Sequence, residues 1–374
     1  MNKPLPRLIL GMSSGTSADA VDLALVRISG VGQSRDIEVV AASEVEFDLR
    51  LQRQTLDFLD CYNQPLRHLD QQLAIFFAAC ANNFLAEHGI EKQALSCIAS
   101  HGQTVFHHDG NPLQGSLQLG CPQTIADETG CQVVADFRQA DLRQGGQGAP
   151  ISVFADWVLH SKPDKATAIL NLGGIANISL LIPGQDPMAW DCGPANGPLD
   201  AVVRKKNAQT CDLGGEIASK GSVNQYLCQK LVQHPYFSLA LPKSTGLEEF
   251  GPQWVNSIIS SSPDISTEDL LATLCSVIAY GVSSSLQSTD VTPQEIYLCG
   301  GGRHNLALRS ALVEAMPFAE ILDYSQLGYD PDLREAVAFA ILGDAFLLGE
   351  TSTWPTTTGA RKSSILGNLV RPRP

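Results

Sequence analysis

Arg7-Leu-Ile-Leu-Gly-Met-Ser-Ser-Gly-Thr-Ser-Ala-Asp-Ala-Val-Asp-Leu-Ala-Leu-Val26 decides how this chain is read. Two apolar runs, Leu8 to Leu10 and Val21 to Val26, flank a turn of glycines, hydroxyls and two carboxylates. Aliphatic and branched residues suit a pleated, half-buried surface, so the runs are expected as two strands. The turn between them has the composition of a phosphate cradle. Gly11 and Gly15 permit close approach of the main chain to an anion, and Ser13, Ser14, Thr16 and Ser17 carry hydroxyl donors. Asp19 and Asp22 stand where a magnesium ion carried by phosphates is held directly or through water. The same residues also suit an ordinary hairpin loop, and the segment alone leaves both readings open. No Walker lysine follows, so the turn is not a P-loop.

Outward from this hairpin, a third strand is expected around Ile37 to Val45. Leu69, Leu73, Phe76, Cys80 and Phe84 recur at helical spacing, which predicts a helix from Leu66 to His88 with Gly89 as its stop. A strand from Ser96 to Ser100 then runs into His101-Gly-Gln-Thr104. The strand, glycine turn, strand pattern returns near Ala166: Ala168 to Leu172 ends in Gly173-Gly174, and Ile175 to Leu181 comes back. This repetition predicts two similar α/β domains facing one another, 1–160 and 161–352, with the tail 353–374 packed as loop on the first. Ser266-Thr-Glu-Asp269 predicts the start of a helix through Ser283, and Glu295 to Cys299 a strand ending in Gly300-Gly-Gly302.

Composition bounds the partners. A chain of 374 residues is long enough for two domains, and 44% hydrophobic against 17% charged residues describes a folded core. The net charge of −14 makes nucleic acid and anionic membrane poor partners, because phosphate backbones need a basic face. Ten cysteines include no C-x-x-C pair, so they are expected as reduced thiols of a cytoplasmic protein and not as metal ligands. No signal peptide and no apolar run of membrane-spanning length is expected.

Three glycine clusters end three expected strands, at Gly11 and Gly15, at Gly173-Gly174, and at Gly300-Gly-Gly302. Open α/β sheets bind ligands at the carboxyl ends of their strands, so the clusters point to one nucleotide gripped from several sides. In Trp190-Asp-Cys-Gly-Pro-Ala-Asn-Gly-Pro-Leu-Asp200, rigid Gly-Pro turns can fix Asp191 as a general base, although an Asx turn uses the same residues. Asp200 is expected to start or cap a helix. His101 and His107 offer imidazoles for acid–base or binding roles. Arg138, Arg143 and Gln147 surround a glycine loop read as mobile, and arginine suits a carboxylate. No Gly-x-Ser-x-Gly elbow supports a serine hydrolase.

Taken in order, these motifs resemble the anhydro-N-acetylmuramic acid kinases. They are Gly11-Met-Ser-Ser-Gly-Thr-Ser-Ala-Asp19, His101-Gly-Gln-Thr-Val105, Asp136-Phe-Arg138, Gly145-Gly-Gln-Gly-Ala-Pro150 and Asn171-Leu-Gly-Gly-Ile-Ala-Asn177. Asp191-Cys-Gly-Pro-Ala-Asn196, Lys243-Ser-Thr-Gly246, Cys299-Gly-Gly-Gly-Arg-His-Asn305, Glu335-Ala-Val-Ala-Phe-Ala340 and Thr358-Gly-Ala360 complete the set. The resemblance implies an α/β chain of two ribonuclease-H-like, actin-like ATPase domains flanking a deep nucleotide and sugar cleft. It implies ATP binding by Ser14, Gly15, Thr16, Ser17, Ala18, Asp19, Ala20, Val21 and Asp22, by Gly173, Gly174 and Asn177, and by Gly300, Gly301, Gly302 and Asn305. It makes Asp191 the catalytic base of a reaction in which ATP and water open a 1,6-anhydro amino sugar and phosphorylate its 6-oxygen. It also implies a cytoplasmic homodimer. Chemistry and loop position assign the amino sugar to Gln103, Arg138, Gln147 and Glu335, with Mg2+ at Asp19 and Asp22. Ser14 and Ala20 stand where the family carries glycine, a substitution that strains the turn only where φ is positive. A nucleotide-driven binding module and an ATP-independent glycoside hydrolase are the competing readings.

Overall fold

The computed structural model describes residues 6–15, 18–61, 66–109, 114–207 and 209–374. Backbone contacts divide the chain into unit 1, residues 1–159 with 333–374, and unit 2, residues 160–332. Thr16 and Ser17 of the first loop lie outside the described residues.

Unit 1 is built on a sheet of β1 (Arg7–Ser14), β2 (Ala20–Ser29), β3 (Asp36–Glu46), β4 (Cys97–Asp109), β5 (Gln114–Leu119), β6 (Val133–Ala135) and the C-terminal strand Asn368–Val370. β1, β2 and β3 form an antiparallel meander, while β4 runs parallel to β1 and β6 parallel to β4. The apolar runs around the first turn are buried on both faces. Ile9, Ala24 and Val26 face one core with the helix Arg334–Leu348, and Leu10, Leu23 and Leu25 face another with the helix Leu66–Glu87. That double burial is why the runs lack a polar alternation.

Gly11 has a packing role. A methyl group there would stand 1.9 Å from the Ala336 carbonyl oxygen and 2.8 Å from the Ala340 amide, so helix backbone lies directly on β1. This contact places Arg334–Leu348 in unit 1, whereas the sequence reading counted residues up to 352 with the second domain. Asp344, fully buried, accepts from Arg7 and from Arg35 at 2.9 Å and ties the same helix to the hairpin. The tail is more ordered than a loop: Asn368–Val370 pairs antiparallel with β6.

Unit 2 carries β7 (Thr167–Leu172), β8 (Ile175–Leu181), β9 (Met188–Pro194), β10 (Glu295–Cys299) and β11 (Glu320–Asp323). Its order, β11-β10-β7-β8-β9, repeats the β6-β4-β1-β2-β3 order of unit 1, with the same strand directions. The two glycine-turned hairpins therefore occupy equivalent places. The helix Thr267–Gln287, capped by Ser266 through the Asp269 amide, runs one turn beyond the expected Ser283. It is long and apolar enough to cross a membrane, and its apolar stretch is mostly buried in the core of unit 2. The last strand of the unit numbering, Asn368–Val370, is β12.

Candidate active site

Asp191 lies on β9 opposite Asn177 of β8. The register slips here, because Ala176 pairs with Gly193 and Cys192 is the extra residue of a bulge. Bulges re-aim side chains beside sites. Gly193 adopts φ +130°, and a methyl group on it would stand 2.9 Å from the Phe237 ring. The segment 236–245 clasps the bulge. Asp191 donates its amide to the Lys243 carbonyl at 2.9 Å and accepts at its own carbonyl from the Tyr236 hydroxyl at 2.8 Å. Its carboxylate oxygen Oδ2 accepts from the Thr245 amide at 3.0 Å. Lys243 is buried with Nζ 4.6 Å from the Tyr236 ring centroid, and burial lowers its pKa. The Lys243-Ser-Thr-Gly246 stretch was visible as a motif, but its work, orienting a carboxylate 54 residues earlier, is not local and left no periodic signal.

The glycine turn after β7 closes onto the helix Asn196–Asn207. Gly173 O accepts the Asn196 amide at 2.9 Å, and Gly174 O accepts those of Ala195 and Gly197 at 3.2 Å each. Asp200 lies inside that helix, past its first turn, and is not its cap; burial raises its pKa. Gly300, at φ +73°, leaves only 2.5 Å between an added methyl and Asn171 Oδ1, and Gly302 only 2.6 Å to Leu172 Cβ. The strip thus lies flat on the end of β7, with Gly301 exposed. Asn305 caps the helix Leu306–Ala315 through the Leu308 amide at 3.0 Å.

In unit 1, the first loop is tied by its own backbone and by one distant side chain. Ala18 carries the positive φ, +48°, and donates to Gly15 O at 3.1 Å. Ser14 and Ala20 end and begin strands, so their extra Cβ atoms bring no left-handed strain. The Ser14 hydroxyl is buried, 2.9 Å from Ala20 O and 2.7 Å from Gln103 Oε1. Asp19 is exposed and Asp22 half-buried, opposite Ser13. Among the described residues no three His, Cys, Asp or Glu side chains are grouped to hold a metal alone. Carboxylate oxygens such as those of Asp19 and Asp22 are the donor type that magnesium takes together with phosphate and water.

Arg138 begins a short helix, and its guanidinium is occupied on two sides. Nε and Nη2 lie 3.2 and 3.0 Å from His101 Nε2, and Nη1 donates to Gly148 O at 2.7 Å. His101 stacks on Phe339, with ring centroids 4.4 Å apart. Burial, then the Arg138 charge, hold its pKa well below the usual imidazole range, so the ring is a neutral acceptor. Burial also pushes Arg138 down to about 10, opposed by the charge of Glu335. The glycine loop 145–148 is tied to its surroundings by hydrogen bonds. Asp141, fully buried, accepts from the Gly148 amide at 2.8 Å and from the Thr358 hydroxyl at 2.7 Å. Gln147 donates its amide to Thr358 O at 2.9 Å, and its Oε1 is buried without a hydrogen-bond partner among the described residues.

Two units repeating one five-strand order, each opening on a glycine-turned hairpin, are the ribonuclease-H-like architecture of two-domain ATPases and sugar kinases. Residues 7–372 match the family model described as anhydro-N-acetylmuramic acid kinase. An anhydro-N-acetylmuramic acid kinase of Shewanella halifaxensis is 37% identical over 96% of this chain and 97% of its own length. One from Xylella fastidiosa is 36% identical over 98% of this chain and 96% of its own. The chain belongs to the anhydro-N-acetylmuramic acid kinase family. Among solved structures, the activator of the 2-hydroxyisocaproyl-CoA dehydratase from Clostridium difficile with bound ADPNP aligns at a TM-score of 0.44 and 13% identity, covering 89% of this chain and 93% of that one.

Proposed function

We propose that this chain is a kinase that uses ATP and water to convert 1,6-anhydro-N-acetylmuramic acid into N-acetylmuramate 6-phosphate and ADP, in the recycling of cell-wall sugar. The observation that carries the reading is the fixation of Asp191: a bulge aims it and a backbone amide from Thr245 holds one carboxylate oxygen. A carboxylate held in one place beside a phosphate loop is what general-base chemistry requires.

Asp191 takes a proton from water as the water oxygen attacks the anomeric carbon. The bond from that carbon to the bridging 6-oxygen breaks. The released oxygen attacks the γ-phosphorus of ATP, and the bond to the ADP oxygen breaks in line. The proton leaves Asp191 to solvent after product release. Phosphoryl transfer needs mostly positioning and neutralisation of charge. Ser14, Gly15, Ala18 to Asp22, Gly173, Gly174 and Asn177 are assigned to the phosphates, and the Gly300 to Asn305 strip to the adenosine. Asp19 and Asp22 would hold Mg2+ through water, which supplies neutralisation of the triphosphate charge.

Arg138 and Gln147 are assigned to the lactyl carboxylate and sugar, with Glu335 beside them. The charge of Arg138, kept on a neutral histidine, and the unpartnered oxygen of Gln147 support this assignment. A cytoplasmic homodimer belongs to the same reading. Mass analysis of products formed in oxygen-18 water tests it. One heavy oxygen at carbon one and a phosphate at carbon six are expected; a product formed without ATP, or carrying its label on phosphate, overturns it.

A further inference from the structure

Gln103 is 0% exposed, and both ends of its amide are spent on the first loop. Nε2 donates to Gly15 O at 2.9 Å, and Oε1 lies 2.7 Å from the Ser14 hydroxyl. The orientation of the amide is determined by its partners. Gly15 O only accepts, so the nitrogen must face it and Oε1 faces Ser14, whose single hydroxyl proton is shared between Oε1 at 2.7 Å and Ala20 O at 2.9 Å. Gly15 O is held from the other side by the Ala18 amide, the residue with positive φ. The amide therefore bridges the last residue of β1 and the first residue of the turn.

The strand makes this reach possible by breaking its own register. Met12 pairs with Ser100, but Ser14 pairs with Gln103, so β4 carries an extra residue between them. Gly102 sits there at φ +77°, with only 2.5 Å between an added methyl and Leu119 O. One consequence is that Gln103 turns to the phosphate loop while His101 turns to Arg138.

We infer that Gln103 is a positioning residue for the nucleotide, one that shapes the first phosphate loop and does not touch the sugar. The inference rests on the proposed kinase reading, and it replaces the assignment of Gln103 to the sugar. It predicts a division of effects that a sugar contact would reverse. Gln103→Met keeps the buried volume and removes both hydrogen bonds to the loop, together with a longer one from Nε2 to Thr104 O at 3.4 Å. Its KM for ATP is expected to rise about three- to tenfold, the size of one or two neutral hydrogen bonds, with the KM for the anhydro sugar within twofold of the parent. Ser14→Ala, which removes the hydroxyl's contacts to Gln103 Oε1 and Ala20 O but leaves the bond from Gln103 to Gly15 O, should show the same split at smaller size and serves if Gln103→Met does not fold.

Titration with a fluorescent ATP analogue without sugar reads the same loss independently of turnover. A parent protein that binds the analogue but turns over no anhydro sugar would count against the kinase reading and leave the Gln103 assignment standing. A rise in sugar KM with unchanged ATP KM, or unchanged analogue affinity in both variants, overturns the assignment.

Discussion

Asn177 and Asp191 are direct cross-strand partners on β8 and β9, and Asn171 of β7 pairs with Asn177 from the other side. Directly opposed residues of antiparallel strands share one face, with Cβ atoms about 5 Å apart. A polar row thus crosses the end of the unit 2 sheet, and Cys299 continues it through its pairing with Asn171 to the Gly300 strip. Asp191→Asn keeps the shape and the Thr245 contact but removes the proposed base. Turnover is expected to fall at least about 10²–10⁴-fold, with ATP affinity nearly unchanged. Steady-state kinetics and a nucleotide titration on the variant check this; near-normal turnover would remove Asp191 from its role.

Tyr236 reaches the main chain of Asp191, its hydroxyl donating to the Asp191 carbonyl at 2.8 Å. Tyr236→Phe keeps the ring over which Lys243 lies. It removes one hydrogen bond in a buried setting, about 1 kcal/mol. The expected result is a kcat several-fold lower, with the KM for ATP unmoved and the fold retained. Equal kcat in the variant would mean that the bulge holds Asp191 without this contact.

Much of this arrangement was legible before any coordinates. The Leu8–Leu10 and Val21–Val26 runs and the Ala168–Leu172 and Ile175–Leu181 runs named both hairpins because their composition is local. Asp191 was singled out by the family resemblance, since its Gly-Pro surroundings suit an Asx turn equally. What escaped was long-range. The packing demand on Gly11 comes from Ala336, 325 positions away in sequence, and nothing local to a hydroxyl-rich turn announces it. Gln103 looked like a polar residue seeking a ligand, yet its partners are Ser14 and Gly15. Thr358 and Asp141 carried no signal of a shared hydrogen bond.

That last pair offers its own test. Thr358→Val preserves shape and withdraws the donor from a fully buried carboxylate whose pKa burial already raises. Leaving such a group short of a partner costs about 1–3 kcal/mol. The glycine loop that carries Gln147 keeps its backbone bonds to Thr358 and Asp141 but rests on a carboxylate with one partner fewer. A lower denaturation midpoint is expected together with a higher KM for the sugar and an unchanged KM for ATP. A variant as stable as its parent would show that the Gly148 amide suffices.

Gly11→Ala separates packing from phosphate binding. An added methyl meets helix backbone at 1.9 Å, a contact that no side-chain rotation relieves. Overpacking against backbone of this kind costs about 3 kcal/mol or more. Urea unfolding should show that loss, while any soluble fraction binds ATP normally. Parent-like stability with weakened ATP binding would return Gly11 to the phosphate site.

His101 links the site to pH. Its folded pKa is depressed, by burial first and by Arg138 second. Below about pH 6.5 the unfolded chain takes up a proton at this imidazole while the folded chain does not. The unfolded state then binds more protons, so stability is full above that pH and declines as pH falls toward the folded value. Asp136 and Asp141, raised by burial, act with the opposite sign, but they are common to parent and variant. His101→Gln offers Arg138 an uncharged acceptor that does not titrate. Between pH 7 and pH 5 the parent should lose stability more steeply than this variant in matched urea melts. Parallel slopes would mean that His101 takes its proton in the fold as easily as it does in water, and that Arg138 is not held on a neutral ring.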